Sequence, residues 1–168
     1  MAGATMALLA SGTAHAATAA TLDTLEKAHF EAEWADSPVS ATQLGIHTMD
    51  SLLDNTSLAS INARTDRLHA EHAALAALDV SVLPPDRQDD RDILLSEIDL
   101  SLIENERVQP FLHNPDFYVN LATDGLYSLM DRNFAPVGDR LRAVIARERQ
   151  IPGPLSTGAA QLTPVPGI

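Results

Sequence analysis

The sequence predicts an all-α fold, an antiparallel bundle or array of five to six helices, and three observations carry that prediction. Apolar residues recur at steps of three and four along most of the chain, the spacing of one helical face. Apolar residues make up 45% of the chain and aromatics only 4%. Leu, Ala, Ile and Val must therefore do most of the packing, and Leu and Ala lose little freedom in a helix. No stretch alternates apolar and polar residues in the manner of a strand. A chain of 168 residues fits one domain and is long enough to bury a real core.

Each element has its own signals. Leu22, Leu25, His29 and Ala32 share one face, which predicts a first helix over about 20–36, ended by Asp36-Ser37-Pro38. Residues 37–55 are irregular, with one short turn of helix from Ser40 to Leu44 stopped by Gly45. The second helix is the clearest: Leu58, Ile61, Thr65, Leu68, His72, Leu75 and Leu78 form its stripe, and Thr56 or Ser57 caps it. Pro84-Pro85-Asp86 stops one helix and starts a third, capped by Asp86 and running to about Val108. Its expected inward residues are Ile93, Leu94, Ile98, Ser101 and Leu102.

Asn114-Pro115 opens a fourth helix with the stripe Tyr118, Leu121, Ala122, Gly125 and Leu129. A glycine in mid-helix costs about 1 kcal/mol against Ala, so Gly125 points to a close helix crossing or to a ligand near the backbone. Pro136 opens a fifth helix, packed through Val137, Leu141, Val144 and Ile145. A sixth begins near Pro154 and stops at Thr163-Pro164-Val165-Pro166.

Charge limits the partners. The net charge is −12. Phosphate binding needs clustered Lys and Arg, so nucleic acid and anionic membrane surfaces are poor partners. Five Arg against three acids fall in residues 131–150, and residues 151–168 carry no charge, an uncharged end that suggests a cut chain. There is no cysteine, so disulfides, thiolate metal sites, thiol nucleophiles and lipid attachment through an N-terminal cysteine have no candidate. The apolar run Met6–Ala10 and the small-x-small pattern Ala14-His15-Ala16 read as an export signal, although no basic residue precedes Lys27. The expected organisation is a signal peptide or disordered tail over 1–20, a helical domain over 21–150, and the start of a further helix over 151–168. No stretch reaches the length of a membrane span.

No pattern in the chain completes a catalytic or metal site. His69-Ala70-Glu71-His72 has two histidines three apart, where the zinc-protease motif needs His-Glu-x-x-His; packing of His72 and solvation of His69 explain them. Asp86, Asp89, Asp90 and Asp92 lack the glycine and distal Glu of a calcium loop and read as an acidic helix start. Glu97, Asp99, Glu104 and Glu106 read as a solvated face. Ser156 follows Pro154 where a hydrolase elbow needs glycine. Arg132, Arg140, Arg142, Arg147 and Arg149 form a basic patch expected to pair with acids of the same fold. His47 and Asp50 lie in the irregular segment, where they either meet a substrate or tie the loop down.

That segment carries a resemblance. Pro38-Val39-Ser40-Ala41-Thr42-Gln43-Leu44-Gly45-Ile46-His47, with Asp50 after it, resembles the opening phrase of the bacterial family called domain of unknown function 885. Further phrases follow in the same order: Glu104 and Glu106, Asn114-Pro115-x-x-Tyr118, Leu126-Tyr127-x-Leu129, Ala135-Pro136, Ile151-Pro152 and Ala159-Ala160-x-Leu162. The likeness spans about residues 22–164. It implies an exported protein, periplasmic or secreted, related to the zinc metallopeptidase clan. In such proteins the His-Glu-x-x-x-Pro-Gly-His segment lies far downstream, and this chain has no His-Glu pair. No catalytic or metal-binding residue therefore carries over, and no cofactor is expected in this chain; zinc is expected in a full-length parent. The implied reading is a non-catalytic N-terminal fragment whose partner is the missing C-terminal catalytic region, with a peptide or small molecule as substrate. His47, Asp50 and Tyr118 are the candidates for cleft contact or loop ordering. The alternative is a free-standing periplasmic helical binding module.

Overall fold

The computed structural model describes residues 3–163, with side chains from residue 17 onward. Among the described residues eight α-helices follow one another: α1 (Gly3–Asp36), α2 (Pro38–Gln43), α3 (Leu58–Ala76), α4 (Pro85–Ile103), α5 (Pro110–His113), α6 (Asp116–Met130), α7 (Val137–Glu148) and α8 (Pro152–Gln161). Among the described residues there is no strand, as the 3–4 spacing requires. No described helix is long and apolar enough to cross a membrane. The chain separates into two compact units, one of residues 1–31 with 65–103, the other of 32–64 with 104–168.

The first unit is built on aliphatic packing. Leu22 from α1, Leu68 and Leu75 from α3, and Leu94, Ile98 and Leu102 from α4 form one buried cluster, with Leu83 closing it. The expected stripes of α1 and α3 are present in part: Leu22, His29, Leu68 and Leu75 are buried, while Leu58 is exposed and Leu78 lies beyond the end of α3. His29 is satisfied by Glu71, whose carboxylate accepts at 2.7 Å from Nδ1 and at 2.8 Å from Arg67. Arg91 donates to the Leu75 carbonyl at 3.1 Å, which also accepts from Leu78 N–H at 3.3 Å, so side chain and backbone together close the end of α3.

Several boundaries depart from the sequence-based expectation. Helix α1 starts at Gly3 rather than near residue 20. The export-signal residues Met6–Ala10 and Ala14–Ala16 have side chains outside the described residues, as do Pro164, Val165 and Pro166 at the other end. Helix α4 begins at Pro85, and the Pro84 carbonyl accepts from Arg87 and Gln88, both at 3.0 Å. Asp86 is thus in the first turn, where the helix dipole favours it, and does not cap. Ile93 is exposed, because a stripe stepping by four through Leu94, Ile98 and Leu102 already fills the buried face. The α-helical winding stops at Ile103, five residues before the expected end. Glu104–Val108 form a π-helical turn, in which Gln109 N–H donates back to the Glu104 carbonyl at 2.8 Å. Gln109 then takes the left-handed conformation, with φ of 49°, and the unexpected short helix α5 follows.

The second unit packs α2, α5, α6, α7 and α8 together with residues 32–64. In α6 the predicted stripe holds: Tyr118, Gly125 and Leu129 are buried. Asn114 Oδ1 accepts from Asp116 N–H at 3.0 Å, which is the cap that Asn-Pro signals. Helix α7 is the inverse of its expected pattern. Val137, Leu141 and Ile145 are exposed, while Arg140 and Arg147 are buried. Helix α8 starts two residues earlier than expected and sits with Gly158 against Tyr118.

Gly158 and Gly153 make a paired test of packing. A Cβ on Gly158 would lie 2.6–2.9 Å from three ring atoms of the buried Tyr118, whereas one on Gly153 would meet nothing within 4 Å. Overpacking costs about 1–3 kcal/mol, and the helix-propensity gain from Gly to Ala returns at most about 1. We expect G158A to lower the urea unfolding midpoint and G153A to raise it, measured through Trp34, the single tryptophan.

Candidate functional site

The irregular segment between α2 and α3 is held by a chain of polar contacts that begins in α7. Arg147 is fully buried. One terminal nitrogen donates to the Gly125 carbonyl at 2.7 Å and to Ser128 Oγ at 3.3 Å. The other donates to Thr42 Oγ1 at 2.6 Å and to the Pro38 carbonyl at 3.1 Å. Thr42 has one hydroxyl proton and two acceptors in reach, Asp50 Oδ1 at 2.8 Å and the Pro38 carbonyl at 3.0 Å. The carboxylate is the stronger acceptor. Asp50 in turn faces His47 Nδ1 at 3.1 and 3.2 Å. The His47 ring stacks on Phe134, with centroids 3.6 Å apart and planes 7° from parallel. Gly45, with φ of 90°, makes the sharp exit from α2 that brings His47 round to this position.

Burial draws the Arg147 pKa below its ordinary range, and the carboxylates of Asp50 and Asp54 oppose that pull. No acid bonds the guanidinium directly among the described contacts; carbonyl and hydroxyl oxygens do. The basic patch expected over 131–150 is therefore corrected. Arg140 is buried as well and donates to the carbonyls of Leu129, Met130, Arg132 and Ala135. Arg132 and Arg142 form ion pairs with their neighbours Asp131 and Asp139, and Arg132 also donates to the Gln43 carbonyl at 3.4 Å.

Two of the three predicted site residues, His47 and Asp50, come together in this network, and His47 also lines a cavity of about 110 Å3 with Tyr127, Arg132 and Phe134. Tyr118 sits in a separate anchor. Its hydroxyl donates to the Phe111 carbonyl at 2.6 Å and accepts from Gln161 at 2.9 Å, which ties α5, α6 and α8 together. Burial raises its pKa. Gln161 also clamps the loop, accepting from Leu58 N–H at 3.0 Å and donating to the Thr56 carbonyl at 3.1 Å. Gln150 does the same for Leu53 N–H and the Ser51 carbonyl, at 3.1 and 2.6 Å. Gln150 and Gln161 were not singled out from the sequence, Thr42 entered only as part of the phrase from Pro38 to His47, and Arg147 only as a member of the basic patch. The seven-residue spacing of Arg140 and Arg147 was the available signal, since it puts both on one helix face.

The remaining candidates fall where bland readings put them. His69 is exposed, and His72 Nε2 meets Asp99 at 3.2 Å. Arg87 answers Glu26 at 3.0 Å and Asp90 at 2.6 Å. Ser156 Oγ donates to the Gly153 carbonyl at 2.9 Å inside α8. Zinc, which the resemblance implies for a longer protein, finds no donor set here: among the described residues no three His, Cys, Asp or Glu converge to hold an ion.

A second cavity in the same unit, of about 260 Å3, is lined on one side by Asp36, Asp54, Arg64 and Glu104 and on another by Ile61 and Phe117. Asp54 Oδ1 accepts from Val39 N–H at 3.0 Å. Burial raises the Asp54 pKa despite that bond and the nearby Arg147 and Arg64. Arg64 is held by Glu33 at 2.7 Å.

Fold and site together define an all-α protein whose loop before α3 is fixed from inside by one buried cation. The model of a family described as bacterial protein of unknown function, DUF885, matches residues 38–165, and the chain belongs to that family. A solved structure described as "a putative lipoprotein of unknown function from Shewanella oneidensis" shares the fold, with a TM-score of 0.76 and 24% identity. The match covers 84% of this chain and 26% of the other, so the chain spans about a quarter of that protein's length. No curated protein matches the chain.

Two outcomes follow from this geometry. R147M removes the charged donor shared by the Pro38 and Gly125 carbonyls and the Thr42 and Ser128 hydroxyls and should cost about 1–3 kcal/mol in chemical unfolding. Asp54, with its folded pKa raised, binds its proton more tightly folded than unfolded. Its contribution is therefore fully present at low pH and lost as pH rises through the folded pKa. D54N, which keeps an acceptor for Val39, should be more stable than the parent near neutral pH, and the gap should close toward acid. Melting temperatures across pH check this.

Proposed function

We propose that this chain is the non-catalytic helical front of an exported, zinc-dependent, peptidase-like hydrolase. The observation that carries the reading is one of scale: 84% of this chain matches only 26% of a longer solved chain. Family membership over residues 38–165 supports it. So does the exposed apolar ridge of α7, where Val137, Leu141 and Ile145 face outward at 57%, 44% and 46% exposure. Further helices of a longer protein would cover such a ridge. In this reading the helices wall one side of a cleft that takes a peptide or small molecule. Zinc, its ligands and the general base belong to the downstream catalytic region, which is the partner of this chain. The small-x-small pattern Ala14-His15-Ala16 supports export to the periplasm or beyond. The neighbour's description as a lipoprotein points to the same compartment.

The purified chain is expected to hold no stoichiometric zinc by elemental analysis, to leave peptides uncut, and to self-associate in sizing experiments. Stoichiometric zinc, or cleavage that a chelator stops, would overturn the reading. A strict monomer with one cooperative melting transition would favour a free-standing helical binding module instead.

A further inference from the structure

We propose that the outward face of α4 docks a basic amphipathic helix of a separate protein. The inference goes beyond the reading above and needs neither zinc nor a downstream region. It rests on a second apolar seam along α4, on the charge that flanks the seam, and on the absence of a polar side chain that docking would strand.

Helix α4 carries two apolar faces. Leu94, Ile98 and Leu102 fill the core of the first unit. Ile93, Leu100 and Ile103 point away from that core, at 58%, 66% and 48% exposure. Together with Ser96 they step by three, four and three, which is the a/d spacing of a helix-pairing seam. The seam runs for about 15 Å at the α-helical rise. Two grooves lie beside it, of about 270 and 570 Å3, and Ile93 and Glu97 line both. The smaller groove is walled by Phe30 of α1 and gives a partner's side chain a place to enter.

Charge decides the partner. With Ile93 and Leu100 at a, the flanking e and g positions are Asp90, Asp92, Glu97 and Asp99. All four are acids, and all four are exposed. Arg87 meets Asp90 at 2.6 Å, but it also serves Asp23 and Glu26. Arg91 meets Asp92 at 2.7 Å, and the His72 imidazole meets Asp99 at 3.2 Å. Glu97 meets no cation among the described residues. Lys or Arg at the partner's own e and g positions answers this rim. A second copy does not fit. Two α4 seams set side by side, in either direction, would put acid against acid along both flanks.

Covering the seam strands no polar side chain. Ser96 supplies its one hydroxyl, which donates to the Asp92 carbonyl at 2.9 Å within the helix. The acids stand at the rim, where charges stay hydrated and act chiefly on partner choice and on encounter.

The test is fluorescence anisotropy of the intact chain with a labelled three-heptad peptide that has Ile at a, Leu at d and Lys at e and g. Lys on both flanks keeps the free peptide from pairing with itself. One comparison peptide carries Glu in place of Lys, and another has the same composition in scrambled order. The Lys peptide is expected to bind saturably and at least about tenfold more tightly than either. L100S is expected to lose about tenfold, since one large apolar side chain no longer becomes buried. E97K is expected to lose affinity severalfold. E148K on α7 makes the same change in net charge and is expected to bind as the parent does. Leu100, Glu97 and Glu148 are exposed, so the variants are expected to melt like the parent. Equal binding of the scrambled peptide, or equal losses in E97K and E148K, would reduce the contact to bulk charge and overturn the proposal. No saturable binding up to about 100 μM would overturn it too. Self-association of the chain that disappears in L100S would assign the seam to a second copy and overturn it as well.

Discussion

A guanidinium with no solvent contact must have its charge answered from within, and Arg147 sets that condition for the whole second unit. Four oxygens do so: two backbone carbonyls, one on α2 and one on α6, and the hydroxyls of Thr42 and Ser128. Each donor–acceptor pair fixes an element in place. Position 125 favours a small residue, since a Cβ there would come within 2.7 Å of Leu53 Cδ2 and push that side chain aside. Residue 42 must carry a hydroxyl that can accept from the cation and donate onward to Asp50. The turn at Gly45 must be tight enough to return His47 to Asp50. The phrase from Pro38 to Asp50 is thus a set of answers to one buried cation rather than a collection of surface groups.

This explains what could be read in the residues. The short helix before Gly45 and the Asn114 cap rest on local rules, and both stand in the structure. So does the packed stripe of α3 at Leu68 and Leu75. The face of α7 was not legible, because charge ordinarily marks the solvated side and here marks the buried one. Ile93 misled in the opposite direction: it is apolar, but its phase on α4 turns it outward. The clamps from Gln150 and Gln161 join residues about a hundred positions apart, and a glutamine carries no sign of such a partner. His47 and Asp50 were legible as a pair because they are three residues apart in an irregular segment; Tyr118 was legible only as a helix residue, and its hydroxyl contacts were not.

The two units differ in how they are held. The first relies on Leu and Ile with salt links at its margins. The second relies on buried polar atoms, most of them partnered, with Arg64 Nε and Arg147 Nε as exceptions; the arrangement is more demanding because each lost partner strands another group. Cavities lined by charge are natural in such a unit, since its walls are already organised around hydrogen bonds. Membership of a family with no assigned activity makes these internal constraints the firmest guide to which residues matter.

The π-helical turn at Glu104–Val108 holds one residue more than an α-helical turn would. Removing a single residue there would let the closing N–H bond four residues back, as in ordinary winding, instead of five. The turn is therefore a local allowance: it absorbs one residue of length between Glu104 and the left-handed Gln109, and a one-residue deletion at this point is a change the backbone has room to take up.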